Sequence, residues 1–314
     1  MPTPPAIDSA TRRFGVGVLG LGVMGQRMVD ALQQHPHFSI PAAFDPAAAA
    51  GPVPMLASAD AVIHHPEVDC VYIASPPHSH LALLTQAAQA GKAVFCEKPL
   101  TASIDEARAC VAAIAAAGVP AAVNFPFASA EASLQLQQLV QSGALGQVRD
   151  VQLTLRFARW PRSWQSGANA WLMGPAQGGF AREVLSHFMF LSLRLFGPGR
   201  IRQARVERGP AGTETCLQAV LDFGPVACAI DAAVAGDADD HNRYEVRGTT
   251  DHAALFDWGR LDHAGTQTER TAALPGQVQR LHRLLCGEPG HGLATVGEAA
   301  EVVTLIEGLL GAVQ

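Results

Sequence analysis

The chain of 314 residues is 48% hydrophobic and 16% charged, which is enough apolar material for a substantial core and for two domains. A net charge of −6 argues against nucleic acid, whose binding needs clustered Lys and Arg, and no apolar run is long enough for a membrane span. The expected partner is a small molecule, and Met1-Pro2-Thr3-Pro4-Pro5 lacks the apolar segment of a secretion signal, so the expected location is the cytoplasm. Cys70, Cys96, Cys110, Cys216, Cys228 and Cys286 are scattered without CxxC spacing, so buried reduced thiols are expected, with no disulfide framework and no metal.

The first predicted element is a strand from Phe14 to Leu19 that runs straight into Gly20-Leu21-Gly22-Val23-Met24-Gly25. In this spacing Gly20 allows a tight turn, Gly22 lets backbone N–H groups approach a pyrophosphate, and Gly25 lets the next helix pack closely on the sheet. Met28, Val29 and Leu32 recur at helical spacing, which puts the phosphates at a positive helix end. A second strand, Phe38 to Phe44, ends at Asp45, where a carboxylate can take the ribose hydroxyls of a dinucleotide.

Short apolar runs then alternate with amphipathic stretches, the rhythm of βαβ units. Val68 to Ala74 reads as a buried parallel strand, and Ser75-Pro76-Pro77-His78-Ser79-His80 is the loop at its carboxyl end, where open α/β sheets bind ligands. A helix from His80 to Ala90 is stopped by Gly91, and the strand Ala93 to Cys96 leads into Glu97-Lys98-Pro99. Ser103 caps a helix reaching Ala117, with Glu106 at the capping-box position and Gly118 as its stop, and Pro120 to Asn124 supplies another strand.

Beyond Phe125 the pattern changes. A helix from Ala130 to Val140 precedes alternating runs at Val148 to Phe157, Ile201 to Glu207, Cys216 to Phe223 and Val226 to Ala232, which predict a mostly antiparallel sheet. Val296 to Leu310 reads as an amphipathic helix returning to brace two halves, 1–124 and 125–314.

Three groups of residues could carry chemistry. Lys98, at a strand end on the same sheet edge as the glycine loop, could donate to a substrate oxygen and stabilise alkoxide-like charge. Glu183 and His187 stand at i and i+4 after Gly178-Gly179, so His187 could accept a hydroxyl proton while Glu183 orients it. Arg159, Trp164, Asn169 and Trp171 combine aromatic faces with hydrogen-bond donors and could hold a hydroxylated ring, or could form an apolar hinge over the domain junction. His35-Pro36-His37 and His64-His65 read as loop residues.

In this order and spacing, Gly20 to Gly25, Ser75-Pro76 with His80, Glu97-Lys98-Pro99, and the Gly178-Gly179 stretch leading to His187 resemble the Gfo/Idh/MocA family of glucose–fructose oxidoreductase, inositol dehydrogenase and the rhizopine-catabolism protein. The resemblance covers essentially the whole chain. It implies an α/β protein: an N-terminal Rossmann domain with a doubly wound parallel sheet, then a C-terminal α+β domain with a large, mostly antiparallel, open-faced sheet that often mediates a homodimer or homotetramer. It implies NAD or NADP against Gly20, Leu21, Gly22, Val23 and Met24, with Asp45 at the ribose. Ser75, Pro76, His80, Glu97 and Asn124 would surround the nicotinamide end, and Lys98 and His187 the reacting carbon.

Two departures stand out. The family's helix typically reads Asp-x-Gly-x-His, whereas here Glu183 and Leu185 occupy the acid and glycine positions. Asp45 is followed by Pro46 and alanines, with no cation for a 2′-phosphate, which favours NAD over NADP. The implied activity is hydride transfer at a ring hydroxyl of a sugar or cyclic polyol, with a dihydrodiol-type carbocycle as the next substrate class. A catalytically silent dinucleotide sensor is the alternative, although such a protein would not need both Lys98 and His187.

Overall fold

Every residue of β1 (Phe14–Leu19) is buried in this computed structural model, which describes residues 12–312 apart from 49 and 238, and the backbone alone over 166–170. The Met1 to Pro5 segment lies outside the described residues. Strand side chains alternate between faces, so Val16 and Val18 join Tyr72 and Phe95 on one side while Leu19 joins Val71, Ile73 and Val94 on the other. A sheet covered on both faces follows, as a parallel sheet requires.

The chain winds through α1 (Val23–Gln33), β2 (Phe38–Phe44), α2 (Ala59–Ile63), β3 (Cys70–Ile73) and α3 (His80–Gln89). It continues through β4 (Ala93–Glu97), α4 (Ile104–Ala117) and β5 (Ala121–Asn124). These five strands pair in parallel in the order β2-β1-β3-β4-β5. Because β2 and β3 flank β1 on opposite sides, the loops leaving β1 and β3 part there, and their carboxyl ends form a ligand-accepting crevice. Pro41 is tolerated because β2 is an edge strand.

After α5 (Glu131–Gln141) and β6 (Val148–Arg156) comes a long connection holding the short α6 (Asn169–Leu172) and a π-helical turn at Ala181–Leu185 that runs into α7 (Ser186–Phe196). Then follow β7 (Gly199–Arg208), β8 (Glu214–Phe223), β9 (Val226–Ala233), β10 (His241–Gly248), β11 (His252–Phe256), β12 (Arg260–His263) and β13 (Thr266–Gln267). The second sheet runs β13-β12-β11-β10-β6-β9-β8-β7, antiparallel except where β6 meets β9. One face, with Leu153, Leu155, Tyr244, Val246, Leu217 and Leu221, is buried in the core, and the other bears exposed polar residues such as Gln152, Gln218 and His241.

The sheet extends past the Val226 to Ala232 run where the sequence pattern stopped. In β10 the open face carries Arg243, Glu245 and Arg247 while Asn242 is fully buried, so hydrophobic alternation is broken on both sides. The last helices, α8 (Leu274–Leu285) and α9 (Val296–Leu310), go to different partners. Val278, Leu281 and Leu284 of α8 pack with Phe14 and Met28 under the first sheet. Helix α9 contacts α4, α7 and β7, and Glu307 clamps Arg182 with both oxygens at 2.6 and 2.8 Å. Ser103 caps α4 through Glu106 N, but the reciprocal capping box forms on α9, between Thr295 and Glu298.

Candidate active site

Gly20 has φ +100°, and a Cβ there would stand 2.7 Å from the Ala74 carbonyl, so the loops after β1 and β3 touch through backbone. Gly22 caps α1 without any side-chain bond, no acid occupies the first turn, and nothing lies within 4 Å of where its Cβ would be. Open space before an uncapped helix N-terminus suits a pyrophosphate, because the free N–H groups and the helix dipole both favour an anion. Gly25 is a packing glycine, since a Cβ there would collide with the Gly20 carbonyl oxygen. Leu21 is buried, Met24 half-buried and Val23 exposed along the rim.

Asp45 Oδ2 accepts from Leu21 N at 2.6 Å and Oδ1 from Ala47 N at 2.8 Å, which points the carboxylate into the glycine loop. These residues therefore fit a dinucleotide whose ribose reaches Asp45.

The loop after β3 behaves differently from the sequence reading. Ser75 Oγ bonds Ser79 Oγ at 2.6 Å, and His80 is buried, its Nε2 2.8 Å from the Ser75 carbonyl and its Nδ1 3.0 Å from that of Leu100. His80 thus pins the Ser75-Pro76 loop to the chain just after Lys98 and faces no ligand space. Burial pulls its pKa below the ordinary value, against the upward pull of the surrounding carbonyls. Glu97 is likewise internal, its Oε1 accepting from Tyr72 Oη at 2.5 Å and Asn124 Nδ2 at 2.6 Å. Burial raises the Glu97 pKa despite these donors, and Asn124 Oδ1 is left buried without a partner.

Lys98 leaves the end of β4 and crosses to the π-helical turn, where its Nζ lies 2.9 Å from Glu183 Oε2 and 3.1 Å from the Glu183 carbonyl. The two side chains are only 12% and 9% exposed. Desolvating such a pair costs roughly several kcal/mol per ion, so its value is in aiming the ammonium rather than in stabilising the fold. A single π turn at a helix start is a recurrent functional-site feature. Here it alters the expected geometry: the carboxylate that i, i+4 spacing would turn to His187 goes to Lys98, and His187 Nδ1 is buried without a partner.

His187 is packed edge-on by Trp258, Phe127 and Phe125, with ring centroids 5.2, 5.9 and 6.0 Å away. Burial first, and then the charges of Lys98 and Arg162, hold its pKa well below the ordinary histidine value. The imidazole is therefore neutral at pH 7 and can accept a proton, while the neighbouring ammonium can only donate.

Of the residues expected to hold a substrate, Arg159 is 67% exposed and leans toward Asp239 at 3.8 Å. Trp164 stands at the junction of the halves, with the Arg27 guanidinium 5.3 Å and that of Arg162 4.8 Å from its ring. Trp171 is half-buried on α6, and the side chain of Asn169 lies outside the described residues. Nearby, Gln177 Oε1 accepts from His78 N at 2.9 Å, a second link between this connection and the first domain.

The sequence reading passed over Arg162, Asp240 and Trp258. Arg162 is buried among the rings of Trp160, Trp164 and Trp258 and donates to Asp240 Oδ2 at 2.7 Å. The Trp258 indole donates to the same Asp240 oxygen at 2.7 Å. Asp257 and Trp258 have φ +46° and +67°, a left-handed pair held by Asn242, whose Oδ1 accepts from Trp258 N at 3.0 Å. Two such non-glycine residues at a turn cost of order 1–3 kcal/mol each, a kind of strain that clusters at functional sites. The signal available in the sequence was the Asp-Trp-Gly turn at Asp257 to Gly259.

Among the described residues no group of His, Cys, Asp and Glu is arranged to hold a metal ion, and no helix is long and apolar enough to cross a membrane. Cys70, Cys96, Cys110 and Cys228 are buried, and burial pushes the Cys70 thiol up to about 12.

Residues 14–125 match the model of an oxidoreductase family with an NAD-binding Rossmann fold, and residues 133–253 match the Gfo/Idh/MocA C-terminal domain. Inositol 2-dehydrogenase of Rhizobium meliloti is 30% identical over 152 residues, which are 46% of this chain and 46% of that protein. The chain spans about half the length of the curated relatives it matches. An oxidoreductase from Thermotoga maritima shares the fold with a TM-score of 0.84 at 17% identity, covering 96% of both chains. The WlbA dehydrogenase of Bordetella pertussis, crystallised with NADH and UDP-GlcNAcA, gives 0.81 at 19% identity, covering 97% of this chain and 96% of that one. With both domain models matched in sequence order over most of the chain, this protein belongs to the Gfo/Idh/MocA oxidoreductase family.

Proposed function

We propose that the protein is an NAD-dependent dehydrogenase acting on a ring hydroxyl of a sugar, a cyclic polyol or, as the next class, a dihydrodiol-type carbocycle. The observation that carries this reading is the pairing of opposite proton roles at one place: an ammonium aimed by Glu183, and a neutral, unpartnered imidazole whose pKa that ammonium helps depress. His187 takes the hydroxyl proton, and Lys98 donates to the same oxygen as negative charge develops on it. NAD, when bound, supplies the hydride acceptor. Burial of both groups excludes water and keeps their orientation, which is where most of the rate arises. Asp45 supports NAD over NADP, because its carboxylate would repel a 2′-phosphate and no cation follows it.

The same proposal divides the chain at residue 124, gives the open face of the second sheet to self-association as a homodimer or homotetramer, and places the protein in the cytoplasm. The test is absorbance at 340 nm with NAD and a panel of polyols, for the wild type and Lys98→Ala. Turnover lost in the variant supports the dehydrogenase. Tight NAD binding with no oxidation or reduction of any candidate would favour the silent sensor.

A further inference from the structure

The two buried cations near His187 are already neutralised. Lys98 pairs with Glu183 at 2.9 Å, and Arg162, 6% exposed, pairs with Asp240 at 2.7 Å. Arg159 at the rim leans on Asp239, and Glu97 beneath the site can add only negative charge. An anionic substrate needs an unpaired, preferably bidentate cation to offset its desolvation, and neither buried cation is one; Arg27, which has no ion pair among the described residues, lies outside this pair at the exposed rim against Trp164. The unmet hydrogen-bonding capacity points the same way. Of the buried atoms without partners around His187 and Trp258, Asp240 Oδ1, Asn124 Oδ1 and His187 Nδ1 accept, the last in the tautomer that leaves it bare, against one donor, Asn242 Nδ2. Hydroxyl groups can donate to such acceptors, whereas a carboxylate brings acceptors alone. Trp258, held beside His187 by its bond to Asp240, adds an aromatic wall suited to the C–H face of a ring.

We infer that the site selects an uncharged polyol over sugar acids and sugar phosphates, with the Arg162–Asp240 pair as the specificity-determining element. Asp240 masks the Arg162 guanidinium, which would otherwise receive a substrate carboxylate. This inference rests on the dehydrogenase reading for the location of the site, and it is separable from that reading by binding measurements.

The experiment titrates NADH-loaded protein with myo-inositol, glucose, glucuronate and galacturonate, following tryptophan fluorescence. Initial rates with NAD are measured in parallel. Neutral probes are expected to bind at least about tenfold more tightly than the uronates, the low end of what a hydrogen bond to a charged group is worth. Asp240→Asn, which frees the guanidinium, is expected to shift the uronate-to-neutral ratio by about tenfold toward the uronates, and Arg162→Gln is expected to produce no such shift. Uronates that bind the wild type as well as neutral probes, an unchanged ratio in Asp240→Asn, or no binding by either class would overturn the inference. The wild-type comparison stands even if a variant fails to fold. Neutral binding without turnover supports the charge selection and removes the dehydrogenase reading, while turnover that prefers uronates does the reverse.

Discussion

Lys98 Nζ and Glu183 Oε2 lie 2.9 Å apart although 85 positions separate them in the chain. The contact joins the end of β4 in the first sheet to the π turn before α7, so it ties the NAD-binding half to the helix that carries His187. In the proposed mechanism Glu183 therefore positions the ammonium and is not a relay for His187.

Lys98→Met is expected to lower kcat about a hundred- to a thousandfold, as for loss of one donor to a developing oxyanion. Glu183→Gln keeps the length but loses the charge, and is expected to cost about tenfold in kcat with little change in KM. The two separate in pH profile. Removing the Lys98 charge lets the His187 pKa climb back toward its ordinary value, so the acid limb of kcat/KM moves up in Lys98→Met and stays in place in Glu183→Gln. A limb that moves up equally in both would return Glu183 to the role of histidine partner.

The depressed histidines make stability depend on pH with a definite sign. Buried His187 and His80 have folded pKa values below that of the unfolded chain, about 6.5, so between the two values the unfolded state binds more protons. Stability therefore rises with pH through that window and levels off above about 6.5. Urea midpoints at pH 5 and pH 7 should show the lower value at pH 5, with a smaller difference in His187→Asn. Because the raised pKa of Glu97 pulls the wild-type midpoints the other way, the deciding comparison is the variant: an unchanged pH 5 to pH 7 difference in His187→Asn would mean that His187 titrates normally when folded.

Asp45→Ala is expected to weaken NAD by about tenfold or more while NADP changes less, because the lost groups are acceptors for ribose hydroxyls. Since Asp45 also holds Leu21 N, some loss for both cofactors accompanies loop loosening. Dissociation constants from fluorescence quenching decide it, and equal weakening would count against the preference for NAD.

Gly22→Ala and Gly25→Ala should behave oppositely although they are three residues apart. Gly22 has φ −66° and open space around its missing Cβ, so alanine is tolerated by the fold but intrudes where a pyrophosphate would lie. Its melting temperature should match wild type while NAD affinity falls. Gly25→Ala must displace the Gly20 carbonyl, so both melting temperature and affinity should drop. A destabilised Gly22→Ala would show that this glycine serves packing.

Legibility followed the range of each signal. The βαβ rhythm, the glycine cradle and the strand-end positions of Ser75, Lys98 and Asn124 were readable because burial on alternate faces and helix spacing are written into neighbouring residues. In β10 and the turn at Trp258 the same method failed, since charges on the open face and the buried Asn242 erase the period. His80 and Glu97 were found as residues but not as roles, because a side chain at a strand end can turn inward as easily as toward a ligand.

The sequence alone determined the architecture and the cofactor class, and it singled out Lys98 and His187 as candidates for proton handling, since each depends on local pattern. Only the tertiary structure decided that Glu183 serves Lys98, that His187 is neutral and unpartnered, and that Arg162 is masked by Asp240 from 78 positions away. Those outcomes depend on burial and on charges brought together by packing, and no periodicity along the chain encodes which distant ions will meet.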